Sequence, residues 1–172
     1  MSEARTQRGL SPTQRFAAIA LACAAAVGLA LLGQYGFEMR PCPWCILQRL
    51  IFIVIGVIAL LGALLGALVG SRLVRIGVAG LVGVLAVLGA AAALWQHGVA
   101  AKSSSCNLTL ADKILNALGV EALLPALFQI TANCADSAVK VLGIAFEHWS
   151  LALFAVLALL AASTVLRLMK SA

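Results

Sequence analysis

Two cysteines stand two residues apart in Pro41-Cys42-Pro43-Trp44-Cys45, and Arg49 follows four residues later at the start of a long apolar run. A Cys-x-x-Cys is a dithiol/disulfide unit, and it exchanges quickly when its thiolate is stabilised. A charge just inside a membrane-length apolar segment is costly and is usually kept for function. Two more cysteines, Cys106 and Cys134, flank the longest polar stretch. Four thiols and one guanidinium so arranged point to electron transfer between disulfides and an acceptor in a bilayer.

The spacing predicts how the first pair is held. Cys42 suits a helix N-cap, with Pro43 at the first helical position, where a missing N–H costs nothing. Cys45 then falls among backbone N–H groups that lack intrahelical partners, and these donors and the helix dipole stabilise a thiolate. Arg49 lies one turn on along the same face. It adds positive charge and offers a planar fork of donors to a ligand carbonyl. Its insertion costs about 2.5–3.5 kcal/mol, less if it reaches back to the interface. A bare interface anchor is the plainer reading of Arg49, and the neighbouring dithiol favours the ligand contact. A zinc site would need further ligands. Cys106, Cys134, His97 and His148 are not in finger spacing, so no metal is expected.

Cys106 and Cys134 enclose 27 residues. A bridge between them would remove roughly 3–4 kcal/mol of unfolded-state entropy. On chemistry alone, a permanent staple and a redox pair are equally open.

These residues need elements to hold them. Of the 172 residues 63% are hydrophobic and 10% charged, with a mean hydropathy of +1.09. That composition excludes an ordinary soluble domain and fits an integral membrane protein. The net charge of +6 is spread one or two residues per connection, so no nucleic-acid partner is expected. Apolar segments at about 16–37, 46–69, 73–95 and 149–168 each approach or exceed the roughly 20 residues that cross hydrocarbon. The first is too long for a signal-peptide core and lacks a typical small-residue cleavage site, so it reads as a retained span. The expected fold is all-α: an integral membrane four-helix bundle, one domain over 1–172, packed through small residues. Cys23, inside the first span, reads as a packing residue.

The outer loop, 96–148, begins with a small polar tether around Cys106. Two short amphipathic helices are expected after it. Leu110, Ile114, Leu115 and Leu118 share one face, and Leu123, Leu124, Leu127 and Phe128 share the other. The reading favoured is a loop lying on the membrane surface with its apolar side down. The alternative is a small cap packed on the bundle.

Charge sets the orientation. One side carries Arg5, Arg8, Arg15, Arg72, Arg75, Arg167 and Lys170 against Glu3 alone. The other balances Arg40, Arg49, Lys102, Lys113 and Lys140 with Glu38, Asp112, Glu121, Asp136 and Glu147. The positive-inside rule puts both termini in the cytoplasm. Both cysteine pairs then face an oxidising space, where disulfides persist. Trp44, Trp95 and Trp149 fall at the outer interface, as an aromatic belt.

Pro41-Cys42-x-x-Cys45-x-x-Gln48-Arg49 opening the second of four spans, with a cysteine pair in a long second outer loop, resembles the bacterial disulfide bond formation protein B family over nearly the whole chain. The resemblance implies a membrane thiol:quinone oxidoreductase of the bacterial inner membrane. It would reoxidise a periplasmic DsbA-like thiol oxidase and pass the electrons to ubiquinone or menaquinone. It further implies disulfides Cys42–Cys45 and Cys106–Cys134. Cys45 would face the quinone, Arg49 and His97 would contact it, and the soluble oxidase would attack Cys106. Energetics agree: the soluble oxidase sits near about −120 mV, so glutathione would run the reaction backward and a strong acceptor is needed. A thiol oxidoreductase of the vitamin K epoxide reductase type would carry its pairs in the opposite order. A non-enzymatic membrane scaffold with structural disulfides would tolerate loss of Cys42 and Cys45.

Overall fold

A computed structural model describes residues 10–68, 71–102, 109–136 and 139–170. Four helices dominate: α1 (Pro12–Gly36), α2 (Pro43–Leu68), α3 (Arg72–Gly98) and, as the last element, α7 (Phe146–Lys170). Each is long and apolar enough to cross a membrane. The first two start before their apolar runs because their first turns are capped. Ser11 Oγ accepts from the Gln14 backbone N–H, the Gln14 side chain accepts from the Ser11 N–H, and Pro12 opens α1, a capping box. At α2, the Cys45 N–H donates to Cys42 Sγ at 3.3 Å and Ile46 N–H to the Cys42 carbonyl at 3.0 Å. Cys42 is therefore the N-cap, as its spacing predicts.

The helices pack in sequence, α1 on α2, α2 on α3 and α3 on α7, and α7 also touches α1. The result is an all-α antiparallel bundle. Its mid-section core is built from aromatic side chains set into alanine- and glycine-lined grooves. Phe52 and Phe154 stack with centroids 4.0 Å apart and planes 1° from parallel. Phe154 fits because Gly89 faces it: a Cβ there would lie 2.3 Å from the ring. Large apolar side chains such as Leu21, Leu29 and Leu159 point outward and are well exposed, which a bilayer would cover.

At the end bearing the termini, Arg15 is buried, donating to Ser163 Oγ at 2.8 Å and to the Leu10 carbonyl at 3.2 Å. Arg72 donates to the Met169 carbonyl at 3.2 Å, and Arg75 to that of Gly66. Carbonyls at the ends of α7 and α2 thus take Arg72 and Arg75.

The opposite end has its own core, where α2 meets the loop. A 3₁₀ turn (Ala100–Lys102) follows α3. Next come α4 (Leu110–Leu118), α5 (Val120–Leu123) and α6 (Pro125–Phe128). Thr109 and Asp112 form a capping box at α4, which ends at Gly119 with φ +62°, a conformation glycine adopts without penalty. Ala111 and Leu115 of α4 and Phe128 of α6 are buried against Cys42, Trp44, Ile46 and Leu47. The inner face of the loop is therefore a cap on the bundle. Leu110, Leu118, Leu123 and Leu124 stay exposed and are free to meet a membrane surface.

One expectation needs correction. Trp44 is no belt residue: it is buried beneath the cap, 6.4 Å from Trp95 between ring centroids. Trp95 and Trp149 remain about half-exposed at that end. The loop also holds a small antiparallel hairpin, β1 (Lys140–Val141) and β2 (Ile144–Ala145). Its turn residues Leu142 and Gly143 both have positive φ, as a type I′ turn requires. The hairpin leads straight into α7, and Trp149 Nε1 donates to the Val141 carbonyl at 3.3 Å.

Candidate active site

The first turn of α2 brings Cys42 Sγ and Cys45 Sγ to 3.0 Å. Cys42 is fully buried, and Cys45 is partly exposed to a cavity. Cys134 arrives from the loop into the same core. The chain just before it is tied down where Thr131 and Ala132 N–H groups both donate to the Pro41 carbonyl, at 3.1 and 3.3 Å. The Cys42 thiol and the Trp44 backbone N–H both hydrogen-bond the Cys134 sulfur. They hold its thiol below the ordinary value, against burial and the nearby Cys45 and Asp112, which raise it. Three of the four cysteines singled out by the sequence thus meet at the start of α2. Cys106 lies outside the described residues.

A cavity of about 300 Å³ opens beside Cys45, between α1, α2, α3 and α7. That is the low end of small-molecule pockets. Its walls are mostly apolar, with Val27, Phe52 and Leu153 among them, and its polar groups are few: Gln34, Gln48, Arg49, Gln96 and Glu147 besides Arg40 and Ser150. The amides form a chain. Gln48 Nε2 donates to Gln96 Oε1 at 2.6 Å, and Gln96 Nε2 donates to Cys45 Sγ at 3.2 Å.

Arg49 is buried, and its Nη1 donates to Gln34 Oε1 at 2.9 Å and to the Leu127 carbonyl. It therefore pins the cap to the bundle as well as lining the cavity. Its Nε is buried with no partner, and an unmet buried donor of that kind costs about 1–3 kcal/mol or more.

His97 is not on the cavity wall. Its ring is half-exposed, with Nδ1 2.8 Å from Glu147 Oε1, and Glu147 is buried and does line the cavity. The structure thus puts His97 at the rim, one residue removed. Gln34, Gln96 and Glu147 were not singled out from sequence. Their signal was there: each is a polar side chain at the edge of an apolar span, where burial is costly without a task.

An apolar cavity with a few polar groups, beside the Cys42/Cys45 pair, suits a flat, lipophilic ligand with carbonyl acceptors. Arg49 puts a guanidinium in the wall, and the apolar walls match a ring. These residues fit a quinone headgroup.

The family model described as disulfide bond formation protein DsbB matches residues 12–164. Disulfide bond formation protein B of Cupriavidus metallidurans is 34% identical over 152 residues, covering 88% of this chain and 91% of that protein. The protein of the same name from Nitrosospira multiformis is 32% identical over 145 residues, covering 83% and 84%. Disulfide bond formation protein B 1 of Pseudomonas savastanoi pv. phaseolicola is 31% identical over 151 residues, covering 87% and 86%. No solved structure gives a significant match. With four membrane-length helices and a thiol cluster beside a lipophilic cavity, the chain belongs to the disulfide bond formation protein B family, multi-pass membrane oxidoreductases of disulfide formation.

Proposed function

We propose that this protein reoxidises a DsbA-like periplasmic thiol oxidase and passes the two electrons to a membrane quinone. The observation that carries the reading is the wall of one lipophilic cavity shared by Cys45 and Arg49. In this reading the chain works as one four-span domain in the bacterial inner membrane. Its loop end faces the periplasm and its termini the cytoplasm, which the basic residues at the terminal end support.

The thiol steps balance as follows. A thiolate of the reduced oxidase attacks Cys106 Sγ in a Cys106–Cys134 disulfide, and Cys134 leaves as a thiolate. The oxidase's second thiol displaces Cys106 and closes its own disulfide. Cys134 then attacks Cys42 Sγ in a Cys42–Cys45 disulfide and expels Cys45 thiolate. Cys106 attacks Cys134 next, restoring the loop disulfide and releasing Cys42. The burial of Cys134 and Cys42 in one core at the start of α2 supports this middle step. What remains is the Cys42/Cys45 dithiol, two electrons and two protons richer than the disulfide.

A bound quinone supplies a two-electron, two-proton acceptor. Arg49 would hold a carbonyl oxygen, and Gln96 would steady the negative charge on Cys45 Sγ. Glu147 would hold a proton at the cavity wall, linked to solvent through the half-exposed His97 ring. His97 would then act through Glu147. The specific lipid could be ubiquinone or menaquinone.

The test is purified protein in detergent, with a reduced periplasmic thiol protein and a short-chain quinone, followed by quinone absorbance. Quinone-dependent thiol oxidation that is lost in Cys45→Ser is expected. Unchanged oxidation in that variant would leave the scaffold reading standing.

A further inference from the structure

The rim of the cavity holds a cluster that the thiol chemistry does not use in full. His97, in the last turn of α3, and Glu147 and His148, in the first turn of α7, point ligating atoms at one spot, all within 4.8 Å of one another. The His97–Glu147 pair at 2.8 Å explains two of the three. It does not explain why the His148 ring lies 4.3 Å from that of His97, edge to face. We infer that His97, Glu147 and His148 form a binding site for a divalent transition-metal ion, Zn²⁺ in its simplest case.

The donor set suits the ion. Two imidazoles and a carboxylate form a common zinc set that leaves a fourth position for water. Ligands at about 2.0–2.1 Å stand roughly 3.3 Å apart in a tetrahedron. The present spread closes to that by small rotamer changes of the two exposed imidazoles. Glu147 is held by burial, so the carboxylate anchors and the rings adjust. Sequence spacing gave no hint, because His97 and Glu147 lie 50 residues apart.

The site would have a consequence that rests on the function proposed above. Glu147 lines the cavity, so an ion that takes Glu147 and His97 as ligands removes the proton route and narrows the mouth. Zn²⁺ on the outer side would reversibly slow quinone reduction.

Binding is tested apart from turnover. The oxidised protein in detergent is titrated with Co²⁺, then with competing Zn²⁺. One Co²⁺ per chain is expected, with the visible bands of nitrogen and oxygen ligands and no thiolate-to-metal band. His97→Ala and His148→Ala should each weaken it at least roughly tenfold, and Cys42→Ser should not. His148→Gln, which keeps polarity and volume, guards against a folding defect. A thiolate band, no saturable binding, or binding that survives loss of both histidines overturns the site. In the quinone assay, Zn²⁺ should slow the unsubstituted protein and a chelator restore it. His148→Ala should keep its metal-free rate and resist Zn²⁺. Bound metal without inhibition overturns the gating and leaves the site. A protein that reduces no quinone at all defeats the function proposed above, while the Co²⁺ titration still decides the site.

Discussion

Gln96 donates its side-chain amide to Cys45 Sγ at 3.2 Å, and its carbonyl oxygen accepts from Gln48 at 2.6 Å. The bond is made from α3 to the first turn of α2, so the geometry of the thiol depends on how those two helices pack. A hydrogen bond to a charged group is worth about 1.5–3 kcal/mol. Gln96→Leu should therefore slow the step that leaves Cys45, by roughly ten- to more than a hundredfold. Rapid-mixing measurement of quinone reduction by the pre-reduced protein reads that step. Exchange with the soluble thiol protein should stay near normal. Gln96→Leu also strands the buried Gln48 amide, so it should lower thermal stability. Adding Gln48→Leu should recover stability but not rate. Recovery of both would mean the amide chain only fills space.

The second prediction concerns Cys134. Its thiol is held below the ordinary value first by the Cys42 hydrogen bond and then by the Trp44 N–H. A lowered thiol is a thiolate over a wider pH range. Cys134 should therefore alkylate at pH values below about 8.5, where a free cysteine is mostly protonated. Cys42→Ala removes the leading cause, so the midpoint of alkylation rate against pH should rise. Cys42→Ser keeps a hydroxyl donor and should shift it less. Mass spectrometry of reduced protein at several pH values makes the measurement. Identical profiles in all three proteins would show that Cys42 does not tune Cys134.

Arg49 is predicted to set quinone affinity. Arg49→Lys keeps the charge and loses the planar fork. The apparent KM for quinone should rise roughly ten- to more than a hundredfold with thiol substrate saturating. Arg49→Ala should be worse, because it also frees the Leu127 carbonyl and the Gln34 amide. Gln34→Ala separates the two roles: it loosens the arginine's anchoring and keeps the guanidinium. An unchanged quinone curve in Arg49→Lys would reduce Arg49 to the strut between α2 and the cap.

How much of this was legible beforehand follows from the physics of each part. The four spans and the α2 dithiol were readable because lipid demands long apolar runs, and helix starts demand caps. Cys42 as N-cap and Arg49 one turn beyond Cys45 follow from helical periodicity alone. Gln96 was visible only as a polar residue at the end of a span; its aim at Cys45 depends on how α2 and α3 are rotated. Trp44 misled, because belt and buried tryptophans share one sequence signal, and only the fold of α4 over it decides. The Leu142-Gly143 hairpin was missed because two-residue strands carry no usable alternation. The approach of Cys134 to Cys42 joins residues 92 positions apart, and no local rule reaches that far.

The last prediction tests the packing that holds the cavity open. Gly89 faces Phe154, and a Cβ there would lie 2.3–2.6 Å from three ring atoms. Phe154 cannot retreat easily, since it stacks on Phe52 at 4.0 Å, and Phe52 lines the cavity. Gly89→Ala should therefore overpack the core and cost about 1–3 kcal/mol. It should also push Phe52 toward the quinone space. Gly80→Ala is the control, because nothing lies within 4 Å of its added Cβ, and alanine should be neutral or slightly favourable in a helix. Thermal unfolding in detergent, read by loss of monodisperse protein on size exclusion, should fall for Gly89→Ala and hold for Gly80→Ala. Quinone KM should rise in the first and not in the second. If Phe154→Leu restores both properties to Gly89→Ala, the clash is relieved where it arises. Failure of that rescue, with Gly80→Ala unchanged, would mean that the Phe52–Phe154 stack does not shape the cavity.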